Sequence, residues 1–323
     1  MNIIRIFAVL IGFFFTQTSV AQQITKKESA AIDKILTDIS IAHKPKKYLF
    51  KNVNVLTMTD SVVLKNQSVL IDEGIIRKIG KDIDQPDAIH IDGTGKYLMP
   101  GLTDMHVHLM NRHQLKNTWI LLQLLNGVTT IRDMLGEPDK LVLRDYINNN
   151  QILAPNLYQA GPIISGMKDP YGLFVAASTA EEGRTLVIQH KKAGYDFIKV
   201  YDGLKKDVFA AITDEARKQN ILVVGHIPGD VAEAIEAGQS SAEHLNGYKI
   251  WKQGMISIGD QQNVSLTANS GLWNCPTLYN FSIEWSLETI GKILNDPALA
   301  GLIPNGMLEN WQKRLKDVSK QAR

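Results

Sequence analysis

Two histidines that stand two residues apart offer the clearest chemistry in this sequence. His106 and His108 end a short segment, Leu102–His108, that follows a Pro-Gly turn and reads as a β-strand. Alternate side chains of a strand share a face, so both imidazoles point the same way while Val107 points the other way. Two imidazoles directed at one point can hold a divalent metal such as zinc. The alternative is two unrelated polar residues at a strand end, and further ligands elsewhere in the chain decide between them.

Three later residues provide such ligands. Lys199, His226 and His244 each stand at or near the end of a separate predicted strand. A single histidine in that position is more often structural, but four of the eight histidines at strand ends favour a site. The other four, which do not end barrel strands, are expected mostly at the surface: His43, His90, His113 and His190. Lys199 has apolar neighbours and is costly to bury without a partner. Lys199 therefore has two interpretations. It either lies at the barrel rim or in an ion pair, or it reacts with CO2 to give an anionic carbamate that can bridge two cations.

The elements that would position these residues alternate between strand and helix from Leu98 onward, which predicts parallel βα units. We expect an α/β fold in which residues 98–323 form a (β/α)8 TIM barrel with about seven of its eight units present. The active site of such a barrel lies at the carboxyl ends of its strands. The predicted strands are 102–108, 128–133, 156–164, 196–201, 221–226, 240–245 and 272–278. A capping box from Ser178 to Glu181 is expected to open the helix after the third strand, and Gly194 is expected to end it.

Three segments precede the predicted barrel. Residues 1–21 have the layout of a signal peptide, with Arg5 before a short apolar segment and a small-residue cleavage site that ends at Ala21. The alternative, a membrane anchor, needs roughly 20 apolar residues. Residues 22–46 predict a leader helix, and residues 47–97 predict a small β module. We therefore expect an exported protein, periplasmic or secreted after cleavage near Ala21.

Composition excludes several partners and sites. The formal net charge of +2 gives no argument for nucleic-acid binding, and Cys275, the only cysteine, excludes an intrachain disulfide and a cysteine-rich metal site. We expect a small-molecule substrate, no membrane contact after signal cleavage, and an oligomeric state that the sequence leaves open.

The motifs in their order resemble the amidohydrolase superfamily, in particular its imidazolonepropionase-like and Xaa-Pro dipeptidase (prolidase)-like hydrolases. The resemblance implies one or two divalent metal ions, with zinc expected, and places the β module in a composite sandwich. By this resemblance His106 and His108 bind the first metal, a CO2-derived carbamate on Lys199 bridges both metals, and His226 and His244 bind the second. The motifs that carry it are Pro100–His108, Gly127–Asp133, Ile198–Tyr201, Gly225–Pro228 and Glu243–Leu245.

The resemblance also implies a reaction. A metal-activated hydroxide would cleave a C–N bond of an amide, a dipeptide or a cyclic amide. Tyr201, on the strand face of Lys199, is a candidate catalytic and substrate-binding residue, and His113 is a weaker substrate contact. Arg132 and Asp133 end the second strand, where we expect a structural ion pair. Trp273 and Tyr279 either line a pocket or pack in the barrel.

The sequence departs from the family at its last ligand. The family places an aspartate after strand eight as metal ligand and general base, but Asp296 and Asp317 do not end predicted strands. We therefore expect a C-terminally truncated chain whose full-length form is the enzyme. The alternatives are an inactive metal-binding or ligand-binding protein, and an esterase or lactonase that uses the same site.

Overall fold

The structure is a computed structural model. It describes residues 46–109, 119–149, 151–167, 174–252, 255–258 and 261–279, together with 291, 292, 294–296, 309, 311–313, 315 and 316. The predicted signal peptide, the leader helix up to residue 45, His113 and Asp317 lie outside these residues. The chain divides into two compact units. The first comprises the residues up to Leu102 together with the short segment Asn149–Leu153, and the second comprises Thr103–Asn148 and the residues from Ala154 onward. The predicted four-part division of the sequence stays a prediction.

The first unit contains a five-stranded sheet. Its strands are β1 (Tyr48–Leu56), β2 (Val63–Asp72), β3 (Ile75–Gly80), β4 (Ile89–Asp92) and β5 (Tyr97–Leu98). The order is β3-β2-β1-β4, and β5 also pairs with β1. Glu73 and Gly74 both have positive φ, 51° and 76°, which gives the tight turn that joins β2 to β3 antiparallel. Short segments rich in β-branched residues predict β1, β3 and the second half of β2, and His90–Asp92 was considered as a fourth strand, whereas β5 was not predicted.

The second unit has parallel strands within each of the seven predicted ranges, but the predicted strand 156–164 is divided into two strands, and the strand at 174–176 was not predicted. A three-stranded sheet has the order β6-β7-β8, and a six-stranded sheet has the order β10-β9-β11-β12-β13-β16. A parallel bridge joins Ala160, after β8, to Phe197 at the start of β11. Neighbouring strands therefore carry their carboxyl ends on one side, as a βα architecture requires. The bounds are β6 (Leu102–Val107), β7 (Val128–Asp133), β8 (Asn156–Gln159), β9 (Ile163–Ser165), β10 (Phe174–Ala176), β11 (Phe197–Val200), β12 (Leu222–Gly225), β13 (Ser241–Glu243) and β16 (Trp273–Cys275).

Helices follow the strands. They are α1 (Trp119–Leu125), α2 (Pro138–Asn148), α3 (Ala180–Ala193), α4 (Lys206–Lys218), α5 (Val231–Ala237) and α6 (Gln261–Ala268), and an antiparallel pair, β14 (Lys249–Lys252) and β15 (Met255–Ile258), lies between α5 and α6. The largest apolar cluster packs Ile198 and Val200 of β11 against Val208 and Ile212 of α4. Burial of these side chains fixes the strand that carries Lys199. Within the described helices, none combines the length and apolarity needed to cross a membrane.

The start of α3 lies one residue later than the sequence predicted. We expected a capping box from Ser178 to Glu181, but the Thr179 side chain accepts from the Glu182 amide and Glu182 accepts from the Thr179 amide. Ser178 also donates its amide to Glu182, at 2.7 Å. Both registers satisfy the capping pattern in sequence. The predicted end is confirmed, because Gly194 caps α3 with φ 92°.

The α/β class with parallel sheets is thus observed, and the closed (β/α)8 barrel and the composite sandwich stay predictions. Trp273 is 79% exposed on β16, at the edge of the six-stranded sheet, and Tyr279 is also exposed, so neither shows the core packing considered for it.

Candidate metal centre

Four imidazoles converge at the carboxyl ends of three strands. His106 and His108 come from β6, His226 follows β12, and His244 follows β13. The ring centroid of His106 lies 5.1 Å from that of His108 and 4.3 Å from that of His244, and His244 lies 5.2 Å from His226. Strand alternation and parallel pairing bring these residues together from distant parts of the sequence, as the positions of the predicted strand ends required.

His106 is fixed by Glu243, the last residue of β13. Its Nδ1 lies 2.7 Å from Glu243 Oε2, and the carboxylate is completely buried. Oε1 of the same carboxylate accepts from Arg132 Nη2 at 2.7 Å and from Ser241 Oγ at 2.6 Å. Burial by itself would raise the pKa of Glu243, but the hydrogen bond from His106 and the charge of Arg132 outweigh it and lower the pKa to about 2. Glu243 is therefore an anion that can only accept.

His226 is held by a residue of the preceding loop. Its Nδ1 lies 2.9 Å from Asp202 Oδ1, and the Tyr201 ring contacts the imidazole at a tilt of 38°, with the centroids 4.0 Å apart. Gly225 before it has φ 130°, and a Cβ there would lie 2.1 Å from the Val200 carbonyl oxygen. Only glycine permits this approach of β12 to β11. The Gly-His sequence therefore brings the imidazole close to the Lys199 strand.

His244 begins a left-handed turn. His244 and Leu245 have φ 61° and 54°, and the Asn246 amide donates back to Glu243. His244 Nδ1 lies 2.7 Å from Thr277 Oγ1, beyond β16. Burial, followed by the charges of His106 and His226, lowers the pKa of His244 to about 3. A neutral imidazole is the form that can bind a metal.

Lys199 is 1% exposed on β11. Burial lowers its pKa to about 8, with the charge of Glu243 acting in the opposite direction. This partial loss of basicity makes the neutral amine accessible near neutral pH, as carbamate formation requires. The carbamate itself stays a prediction.

The ring nitrogens of the first pair fit a metal ion. His106 Nε2 and His108 Nε2 lie 3.2 Å apart, and His108 Nδ1 is buried without a hydrogen-bond partner. Burial, followed by the charge of His106, lowers the pKa of His108 to about 3. Because His106 Nδ1 keeps its proton and donates it as a hydrogen bond to Glu243, the His106 Nε2 carries a lone pair. A cation that accepts this lone pair and that of His108 Nε2 would satisfy the two facing nitrogens.

A second group of possible ligands surrounds Glu243. Ligand atoms of His106, Glu243 and Cys275 lie within 4.8 Å of one another. Both oxygens of Glu243 already have donors. Burial, followed by the charge of Glu243, raises the pKa of the Cys275 thiol to about 12, so the thiolate that a metal needs is disfavoured. These contacts support Glu243 as a partner of His106 in preference to a metal ligand.

Two expectations about neighbouring residues were wrong. Arg132 and Asp133 are both buried but do not pair with each other. Arg132 binds Glu243, and Asp133 Oδ2 lies 3.3 Å from the buried Lys140 Nζ. Adjacent residues of a strand point to opposite faces, which separates the two partners. His190, expected at the surface, is 5% exposed, whereas His90 is exposed as expected.

The role of Glu243 was missed by sequence reasoning. In the sequence it is only one residue of a Glu-His-Leu motif, although a carboxylate two residues after Ser241 on a buried strand requires a partner. That requirement could have indicated a functional role for Glu243. The sequence could not have identified the partners, because they lie on strands that are distant in the sequence.

Comparison with known proteins gives the context of this centre. The profile described as Amidohydrolase family matches residues 97–251. A dihydroorotase of Carboxydothermus hydrogenoformans is 50% identical over 60 residues, 19% of this chain and 14% of that protein. A dihydroorotase of Bacillus cytotoxicus is 27% identical over 209 residues, 62% of this chain and 47% of that protein. The chain thus spans half or less of the length of these relatives.

The fold has solved counterparts. The crystal structure of a proposed prolidase from Bifidobacterium longum is 26% identical, with a TM-score of 0.59, and the match covers 83% of this chain and 67% of that chain. The range of the family profile, residues 97–251, contains Lys199 and all four histidines of the centre.

Proposed function

We propose that this chain, which belongs to the amidohydrolase superfamily, is part of a metal-dependent hydrolase whose full-length form cleaves a C–N bond. The observation that supports this most directly is the facing pair of Nε2 atoms, His106 and His108, at 3.2 Å within a group of four imidazoles. Burial lowers the pKa of both His106 and His108, and two neutral imidazoles directed at one another are a metal-binding arrangement.

Each residue of the centre would have a distinct role. His106 and His108 would hold one metal, and His226 and His244 a second, with Lys199 between the strands that carry them. When bound, zinc lowers the pKa of a coordinated water and polarises a carbonyl oxygen. The Tyr201 hydroxyl, on a ring that contacts His226, would donate a hydrogen bond to the substrate. Burial, followed by the charge of Asp202, raises the pKa of Tyr201, which keeps the hydroxyl protonated.

The names of the matched proteins support one substrate class. Dihydroorotases and prolidases differ in substrate, but in both the bond broken joins carbon to nitrogen. We therefore propose an amide, dipeptide or cyclic amide substrate. The protein would act outside the cytoplasm, because the sequence predicts export with cleavage near Ala21.

Metal analysis tests the proposal. The purified protein should retain at least one equivalent of divalent metal after gel filtration. His106→Ala and Lys199→Ala should each lower that content, and His90→Ala, an exposed histidine of the first unit, should not. Less than one equivalent in the unaltered protein, unchanged by either site variant, contradicts the proposal.

A hydrolysis screen then tests the bond. Dipeptides, N-acyl amino acids and cyclic amides are compared with esters and lactones in the presence of zinc. Turnover of a C–N substrate that His106→Ala abolishes supports the proposal. Turnover of esters or lactones alone replaces it with an esterase or lactonase that uses the same centre.

A further inference from the structure

We propose that Glu243 is a positioning residue that fixes the tautomer of His106 and thereby sets the metal affinity of the centre. The proposal rests on the proposed function, because His106 must be a metal ligand for its tautomer to matter. In this role Glu243 is a partner of the imidazole and of Arg132, and not itself a metal ligand.

The two oxygens of the Glu243 carboxylate determine which atom of His106 carries the proton. Glu243 is fully buried, and its two oxygens have different partners. Oε1 accepts from Arg132 Nη2 at 2.7 Å and from Ser241 Oγ at 2.6 Å. Oε2 faces His106 Nδ1 at 2.7 Å. An ionised carboxylate cannot donate, so the proton of this last hydrogen bond belongs to His106 Nδ1.

The consequence for His106 is a fixed tautomer. A neutral imidazole with its proton on Nδ1 has its lone pair on Nε2, which is the atom that faces His108. Without Glu243 the proton would be shared between the two nitrogens, and part of the population would point an N–H at the metal position. Carboxylates that hold a ligating imidazole in this way typically contribute roughly 10–100-fold in metal affinity.

Arg132 and Ser241 hold Glu243 in turn. Arg132 Nε donates to the Met105 carbonyl at 2.7 Å, next to His106 in β6, while Nη1 donates to Ser241 Oγ at 3.2 Å. The guanidinium therefore links β6, β7 and β13 through one planar group. Because Arg132 is itself buried, removal of the Glu243 charge alone would leave an unpaired cation and lower the thermal stability of the protein.

The experiment separates the positioning role from this structural cost. Zinc affinity is measured by competition with a chelating dye for the unaltered protein, Glu243→Gln, and the double variant Arg132→Met with Glu243→Gln. The double variant removes the unpaired cation and should recover much of the thermal stability that Glu243→Gln loses. Its zinc affinity should nevertheless stay about 10-fold or more below that of the unaltered protein.

Two controls define the comparison. Asp196→Asn removes a carboxylate that accepts from Arg144 Nη1 at 3.2 Å and from the Gln159 amide at 2.7 Å, so it should lower stability without changing zinc affinity. Cys275→Ser leaves the Glu243–His106 hydrogen bond in place and should bind zinc as the unaltered protein does. A large loss of zinc affinity in Cys275→Ser would overturn the proposal in favour of a Cys-Glu-His ligand set.

Nitrogen NMR of histidine-labelled, zinc-free protein gives a readout that a structural role would not move. The spectrum of the unaltered protein should contain an imidazole signal that is missing from the spectrum of His106→Gln, which assigns it to His106. This imidazole should be protonated on Nδ1 only. In the double variant this signal should move toward the average of both tautomers. Unchanged zinc affinity and tautomer in the folded double variant would overturn the inference, whereas absence of zinc binding by the unaltered protein would overturn the proposed function first.

Discussion

His190 shows what burial alone does to an imidazole. It packs over Gly161, where a Cβ would come within 2.5 Å of its Nδ1, and that nitrogen is buried without a hydrogen-bond partner. Burial lowers the pKa of His190 to about 4. The sequence did not reveal this, because an amphipathic helix with one histidine gives no indication of which neighbour covers the ring.

The free energy of unfolding should therefore depend on the protonation of His190. The unfolded chain binds this proton near pH 6.5 and the folded chain only near pH 4, so the unfolded state binds more protons between these values. The contribution is fully present above about pH 6.5 and is lost as the pH falls toward about 4. Its slope is at most about 1.4 kcal/mol per pH unit.

Urea unfolding of the unaltered protein and of His190→Leu at several pH values measures this contribution. The difference between the two curves isolates His190, because the other titrating groups are common to both. It should widen in favour of the variant as the pH falls from about 6.5 to about 4, and stay constant above about pH 7. Parallel curves across this range would contradict the prediction.

At the same scale, the site was predictable in part. His106 and His108 could be identified as a pair because the period of a strand is two residues. The later strand ends then supplied His226 and His244 without knowledge of any contact. Glu243 could not be assigned, because its function depends on the buried cation and the imidazole that face it from the other sheet, and sequence spacing does not contain that information.

At the scale of elements, the positions of the strands were predictable and their fine register was not. The bounds of β6, β7 and β11 agree with the sequence prediction to within a residue or two. The start of α3 was displaced by one residue, because Ser178 and Thr179 both satisfy a capping box with a glutamate three residues on. Local propensity leaves such neighbouring registers nearly equal in free energy, and tertiary packing selects one.

Gly225 provides a prediction at this scale. Its φ of 130° and the 2.1 Å approach of a Cβ to the Val200 carbonyl mean that Gly225→Ala must separate β12 from β11. The combined conformational strain and overpacking should cost about 3 kcal/mol or more. Since His226 follows directly, zinc content should fall as well.

Gly238→Ala is the matched control. Gly238 also has positive φ, 79°, as the cap of α5, but the nearest atom to its Cβ would be Arg217 Nη2 at 3.9 Å. Its cost should be limited to conformational strain, roughly 1–2 kcal/mol, and zinc content should not change. Equal effects of the two substitutions on stability and metal content would show that the approach of β12 to β11 is not important.

At the scale of the whole molecule, the alternation of strands and helices predicted an α/β fold, and the parallel sheets of the second unit agree with it. This succeeded because parallel βα units impose a regular pattern on the chain. Closure of a barrel depends on strand tilt and stagger, which a sequence pattern does not express. The pair β14–β15 was also not predicted, since it lies between elements of the regular repeat.

A metal that binds the folded chain more tightly than the unfolded chain must stabilise the whole second unit. Zinc at about 100 times its dissociation constant should raise the free energy of unfolding by about 2.7 kcal/mol. The ligands lie at or directly after the ends of β6, β12 and β13, which belong to two sheets and come together only when the second unit is folded. The stabilisation should appear as a higher urea midpoint in zinc than in EDTA, with the slope of the transition unchanged.

The double variant of His106→Ala with His108→Ala tests the origin of this effect. It should unfold at one midpoint in both buffers if the facing Nε2 atoms bind the cation. Asp196→Asn leaves the metal centre intact. Its urea midpoints in both buffers should be lower than those of the unaltered protein, but the difference between the zinc and EDTA midpoints should be the same. A zinc-dependent shift of the same size in the double variant would place the stabilising metal elsewhere in the chain. It would also remove the main support for the four-histidine centre.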